Sequence, residues 1–210
     1  MVFGSLAAHA GPKFTNVRYK LTRISGSHDM DRDDAAVFQK EGVHFRGGAP
    51  FFLHWRNSVL KTQEDASTYD GEPLVLDALT TSVPKAVGVF LLVATTGTQT
   101  RELTTIGKAE YQFSDGSVVT GNILTKDHYI ILDQPVIEGG EAPEVESPRA
   151  SFYTTVNGHL ARHNLNVIYH SFPEKTLTGV EIIDTQDEGD IGENINAPIW
   201  VYGITIATSP

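Results

Sequence analysis

Along this chain apolar residues recur with a period of two far more often than with the three-to-four spacing of a helix. Between Phe14 and Ile24, Val17, Tyr19 and Leu21 alternate with Arg18, Lys20 and Thr22, as in a strand with one face on a core. Ala109, Tyr111 and Phe113 alternate in the same way with Lys108, Glu110 and Gln112. Ser114-Asp115-Gly116-Ser117 follows, and then Val118-Val119-Thr120. Asp-Gly between two such runs predicts a hairpin, because both residues tolerate the positive φ of a primed turn. Val87–Thr95 is apolar almost throughout, which predicts a central strand covered on both faces. Thr176–Asp184 sets Val180 and Ile182 against Leu177 and Ile183, with Gly179 as a bulge position. Pro198–Thr208 places Trp200, Tyr202, Ile204 and Ile206 on one face and Ile199 and Val201 on the other. A proline at the first position of that run removes no ladder hydrogen bond. Helical spacing is confined to Asp33–Lys40 and Asn57–Gln63. Strands about every ten residues, separated by Gly, Pro, Asn and Asp, predict an all-β chain. The expected architecture is a two-sheet antiparallel β-sandwich, or jelly roll, of roughly eight or more strands.

A length of 210 residues suits one such domain. Residues 1–14 read as a tail, 15–70 as N-terminal strands and 73–210 as the main sandwich. Ile137–Pro148 and Gln186–Asn196 are acidic, rich in turn-forming residues, and predict long loops. Hydrophobic residues make up 40% of the chain, enough for a sizeable core. Ala8-His9-Ala10 has the small residues of a leader cleavage site, yet no positive charge precedes it and the apolar stretch is short, so a plain tail is the expectation.

Charge narrows the function classes. Lys and Arg number 16 against 26 Asp and Glu, a formal net charge of -10, and the cations are scattered singly. Such a surface repels a phosphate backbone, so nucleic acid is not an expected partner. It suits neutral ligands or divalent cations. No apolar run approaches the ~20 residues of a membrane-spanning helix. The absence of cysteine excludes disulfides and thiol catalysis.

Four ordered pieces carry a resemblance. They are Val83-Pro84-Lys85-Ala86-Val87-Gly88-Val89-Phe90-Leu91-Leu92, the hairpin from Ala109 to Ser117, the stretch from Tyr169 through Pro173-Glu174-Lys175 to Ile182, and Ala197-Pro198-Ile199 leading to Gly203-Ile204-Thr205-Ile206. In this order they resemble the galactose-binding-like domains of bacterial carbohydrate-active and carbohydrate-binding proteins. The pieces are hairpins and core positions rather than ligand contacts. Where that family often has Trp-Xaa-Asn-Pro before the third piece, this chain has His170-Ser171-Phe172-Pro173. Residues 1–70 lie outside the resemblance. It implies a jelly-roll sandwich, and by analogy of fold a glycan or polysaccharide as partner. Domains of this kind often carry a structural calcium between loops, and an extracellular or periplasmic location is favoured.

The residues themselves offer several constellations. Phe51-Phe52-Leu53-His54-Trp55-Arg56-Asn57 joins an aromatic ridge to polar ends. A Trp face stacks on the apolar face of a pyranose while Arg and Asn grip hydroxyls, so Trp55, His54, Arg56 and Asn57 are the candidate glycan-binding residues. Phe51 and Leu53 read as core, and so does Trp200 within its alternating run. Asp184, Asp187, Glu188 and Asp190 are candidate oxygen ligands, with Asp184, Asp187 and Asp190 assigned to a structural calcium; a solvated loop is the plain alternative. Asp29-Met30-Asp31-Arg32-Asp33-Asp34 is the densest acidic cluster, but Asp34 and Lys40 stand where a helical calcium hand needs Gly and Glu. It reads either as a looser cation site or as an acidic turn. His159 and His163 have zinc-helix spacing without the adjacent Glu, and their Gly158 and Asn164 flanks point to a loop. No Gly-Xaa-Ser-Xaa-Gly elbow and no phosphate-cradling loop occurs, and sequence spacing alone cannot pair two glycosidase carboxylates. The leading expectation is a non-catalytic carbohydrate-binding module, or an accessory domain beside a glycan-active enzyme. A sandwich-fold enzyme acting on sugars and a homo-oligomeric interaction protein are the alternatives.

Overall fold

The computed structural model describes residues 16–26, 28–29, 41–46, 48–62, 74–95, 104–126, 129–132, 150–156, 159–184 and 199–210. Among these there is no helix. The strands are β1 (Arg18–Leu21), β2 (Gly42–Arg46), β3 (Ala49–Leu53), β4 (Leu60–Lys61), β5 (Leu74–Thr95), β6 (Thr104–Phe113), β7 (Val118–Lys126), β8 (Tyr129–Leu132), β9 (Ala150–Val156), β10 (His159–Asp184) and β11 (Ile199–Thr208). Nine form one sheet in the order β1-β11-β5-β10-β6-β7-β8, with β4 added to β11 and β9 to β10. β2 and β3 form a separate two-stranded sheet. All the pairings are antiparallel. The chain is therefore an all-β, two-sheet antiparallel sandwich with very unequal layers.

β5 and β10 form the spine. They pair over most of their length, but the register shifts repeatedly between Ser171 and Glu181. Pro173 lies in that stretch, and Pro84 lies opposite it beside Lys85, which adopts a positive φ of 57°. Each proline removes a ladder donor, and the resulting bulges re-aim both strands at the same level. The large sheet can then curl, so that β8 at its far edge comes within contact of β5 and β10 without pairing to either.

Two cores result. On the inner face of the large sheet, Val89, Leu91 and Val93 pack with Tyr111, Phe113, Ile168, Phe172, Val180 and Ile182. On the other face, Phe90, Leu92 and Ala94 pack with Ala49, Phe51 and Leu53 of the small sheet and with Val167 and Tyr202. The unbroken apolar run of β5 is explained by this division, since alternate residues supply two different cores. Residues whose pattern marks them as core behave accordingly, with one difference. Tyr111, Phe113, Val89, Leu91, Val180, Ile182, Ile204 and Ile206 are buried, whereas Val87 is half-buried on the rim of the second core.

The faces of β11 differ from the simple alternation. Ile199 and Val201 share the inner core with Ile204 and Ile206, while Trp200, Tyr202 and Ala207 face the small sheet. A register shift between Val201 and Gly203 inverts the phase midway, which a strict period of two cannot anticipate. A Cβ on Gly203 would lie 2.9 Å from Phe51 Cδ1, so the bulge and its glycine together seat the small sheet. Asn57–Gln63 is not helical either. Trp55–Asn57 is a bend, β4 follows, and Gln63, like Asp33–Lys40, lies outside the described residues.

The Asp115-Gly116 hairpin forms as expected between β6 and β7, with a different turn. Gly116 N–H donates to the Phe113 carbonyl at 2.9 Å, and Gly116 alone of the four turn residues has a positive φ, 79°. This is a simple turn followed by a left-handed glycine rather than a primed turn. Asp115 Oδ1 accepts from Ser117 Oγ at 2.5 Å and from Ser117 N at 3.0 Å, and Oδ2 accepts from Lys175 Nζ at 2.9 Å. The Ser117 hydroxyl first, and then Lys175 and the Ser117 amide, hold the Asp115 carboxyl well below the usual carboxylate range. A depressed folded-state value means a contribution present above the ordinary carboxylate range and lost as pH falls through it. Wild type and Asp115→Asn should therefore differ most in melting temperature near neutrality and converge in acid, by a small amount because the group is exposed. A difference that grows on acidification would contradict this.

Candidate functional site

Trp55, Arg56 and Asn57 occupy the bend between β3 and β4, and all three are exposed, Trp55 to 39%. The bend follows from its anchors. His54 is buried, and its Nε2 donates to the Ile24 carbonyl at 2.9 Å. The Trp55 amide donates to Glu41 Oε1 at 2.9 Å, and the Asn57 amide to Asp29 Oδ1 at 2.8 Å. Asn57 returns a bond through its carbonyl, which accepts from Gly26 N at 2.7 Å. Ser58 N and Val59 N then donate to the His28 carbonyl at 2.9 and 3.1 Å. Asn57 itself sits at a φ of 48°, a left-handed conformation that Asn tolerates better than most residues. Backbone groups of Trp55, Asn57, Ser58 and Val59 are thus held by the segment 24–29 or by Glu41. The side chains of Arg56 and Asn57 make no hydrogen bond or ion pair among the described residues.

The small sheet carries this bend. Its inner residues Phe51 and Leu53 are buried, and Thr205 Oγ1 of β11 donates to the Pro50 carbonyl at 2.5 Å. Tyr19 of β1 adds a longer bond from its hydroxyl to the Gly48 carbonyl, 3.4 Å. On the outward face Val43 pairs with Phe52, and Val43 and Phe45 are 49% and 70% exposed. The apolar exposure of this hairpin was signalled by the alternation in Gly42-Val43-His44-Phe45 but escapes attention in so short a run. The anchoring carboxylate of Glu41 has no sequence signal at all. Asp29, one member of the acidic cluster, serves here as a backbone acceptor, while the rest of that cluster lies outside the described residues.

The proposed calcium residues are not assembled by the described part of the chain. Asp184 ends β10, is only 2% exposed, and accepts from Thr62 Oγ1 at 2.7 Å through Oδ2. Thr62 Oγ1 in turn accepts from Ile199 N at 3.0 Å, so the carboxylate ties the end of β10 to β4 and β11. Asp187 and Asp190 lie outside the described residues. Among the described residues no three His, Cys, Asp or Glu converge on a point that a metal ion could occupy. His159 and His163 fall in β10, paired with Val156 and Phe152 of β9, and not in a loop.

Two other polar groups are structural in character. Tyr111 OH and His170 Nδ1 are 2.6 Å apart inside the inner core, and both residues are fully buried. Burial pushes the Tyr111 phenol well above its ordinary value, so it stays protonated and can donate to Nδ1. The His170 ring needs the glycine beside it, because a Cβ on Gly121 would lie 2.5 Å from the ring. Trp200, expected in the core, is half-buried beside the second core with Lys61 Nζ 4.4 Å from its ring centroid. Of the two tryptophans Trp55 is therefore the one whose face reaches solvent more fully.

No protein-family model matches this chain, and no curated protein matches it. Among the described residues no helix is long and apolar enough to cross a membrane.

Proposed function

We propose that this protein is a non-catalytic carbohydrate-binding module, or an accessory domain that recognises a glycan, with Trp55, Arg56 and Asn57 as the contact surface. The observation that carries this reading is the pinned bend: an exposed indole, a guanidinium and an amide, on a backbone tied by hydrogen bonds on either side of Arg56. A rigid backbone lowers the ordering cost of a weak ligand, which matters when one aromatic face supplies most of the contact area. His54 then acts as a positioning residue, since its Nε2 is committed to Ile24. The resemblance to galactose-binding-like domains supports the same reading by analogy of fold alone.

The test is a glycan array read for binding and for turnover, followed by calorimetry of Trp55→Ala on the best ligand. Binding without product formation, and loss of detectable affinity in a variant that melts like wild type, is the expected result. Product formation would move the protein to the enzymes acting on sugars. Full affinity in a well-folded Trp55→Ala variant would remove Trp55 from the site.

A further inference from the structure

We infer that the Trp55 site selects neutral glycans and rejects uronic-acid and sulfated ones, and that Glu41 and Asp29 set this preference. The inference rests on the glycan-binding reading and adds to it the chemical class of the ligand. Both carboxylates are exposed, and each commits one oxygen to an amide of the bend, at 2.9 Å for Glu41 and 2.8 Å for Asp29. Neither makes another hydrogen bond or ion pair among the described residues, and each carboxylate has a second oxygen that the bend does not use. The bend and its two anchors thus place two carboxylates on the amides that flank Arg56, on a chain whose formal charge is -10.

Arg56 alone would favour an acidic sugar. Two carboxylates within a residue of the same surface outweigh it, and the field of the whole chain has the same sign. A sugar hydroxyl can donate to a carboxylate oxygen, whereas a ligand carboxylate or sulfate has no proton to offer and meets like charge. The same carboxylates that pin the loop through one oxygen therefore reward neutral hydroxyls and penalise anions. Glu41 and Asp29 do two things at once: they fix the backbone of the platform and filter what lands on it.

The experiment compares chains of one linkage that differ only in oxidation at C6. Mannan and cello-oligosaccharides are set beside mannuronate and glucuronate oligomers, on the intact protein, at low and high salt. Neutral chains should bind at least about tenfold more tightly than their uronate partners at low salt. Added salt should raise uronate binding toward the neutral value, because exposed charges are screened over a Debye length. Glu41→Gln and Asp29→Asn keep an amide oxygen for the loop and remove the charge, so each should narrow the preference with little change in melting temperature. A uronate bound as tightly as its neutral partner, a preference that salt leaves unchanged, or one that neither variant narrows, overturns the inference and leaves the glycan reading standing. Failure of every chain on the array to bind overturns both. The salt series needs no variant and tests the charge discrimination itself, while the two variants separate Glu41 and Asp29 from the net charge of the chain.

Discussion

Phe51→Ala is expected to destabilise the protein by about 3–5 kcal/mol, the usual range for deleting a buried aromatic side chain. Phe51 is fully buried, and it fills the space left by Gly203 at the bulge of β11. Its ring is the main apolar link between the two-stranded sheet and the large one, together with Leu53 and Tyr202. Phe52, next in the chain and half-buried on the outward face, should lose only about 1 kcal/mol on truncation to alanine. Urea unfolding of the two variants compares one strand with itself. Equal losses would mean that β3 presents its faces the other way round. Because β3 runs directly into the bend at Trp55, Phe51→Ala should also speed amide exchange there.

Phe113→Ala is expected to cost a similar amount, about 3–5 kcal/mol, for a different reason. Phe113 lies in the inner core edge-on to Phe172, with centroids 4.8 Å apart and rings at 73°. Lys175 Nζ sits 5.3 Å from its centroid and is itself bonded to Asp115 and Ser117 of the adjoining turn. Truncation opens a cavity and removes the support of that lysine at once. A loss below about 1 kcal/mol, measured at unchanged m-value, would show that this end of β6 is not packed as described.

The all-β class and most of the inner core were legible because they rest on local signals. Alternation in β6, the unbroken apolar run in β5 and the Asp-Gly turn each report their own surroundings. What escaped depends on partners far along the chain. The phase inversion in β11 arises where Gly203 receives a ring from residue 51. The turn after Phe113 takes its form partly from Lys175, sixty residues away. The candidate site shows the same division. Trp55, Arg56 and Asn57 announce themselves by type and order, and the structure leaves them exposed on one bend. His54 looks identical in kind, yet Ile24, thirty residues earlier, takes its ring inward. The carboxylates of Asp29 and Glu41 that shape the bend act across separations of 28 and 14 residues. Nothing in a run of seven residues encodes that.

The strand order has a consequence for how the chain is made. β5 holds the middle of the large sheet, but one of its two neighbours is β11, whose residues 199–208 are synthesised more than a hundred residues later. β1 waits longer still, since Arg18 pairs with Thr208. Until β11 emerges, the apolar edge of β5 has no cover on that side and is open to pairing with other chains. A nascent chain stalled before Ile199 would therefore be a poor candidate for partial folding and a good substrate for a chaperone. Folding of this topology should be slow and late, gated by the synthesis of β11 rather than proceeding strand by strand.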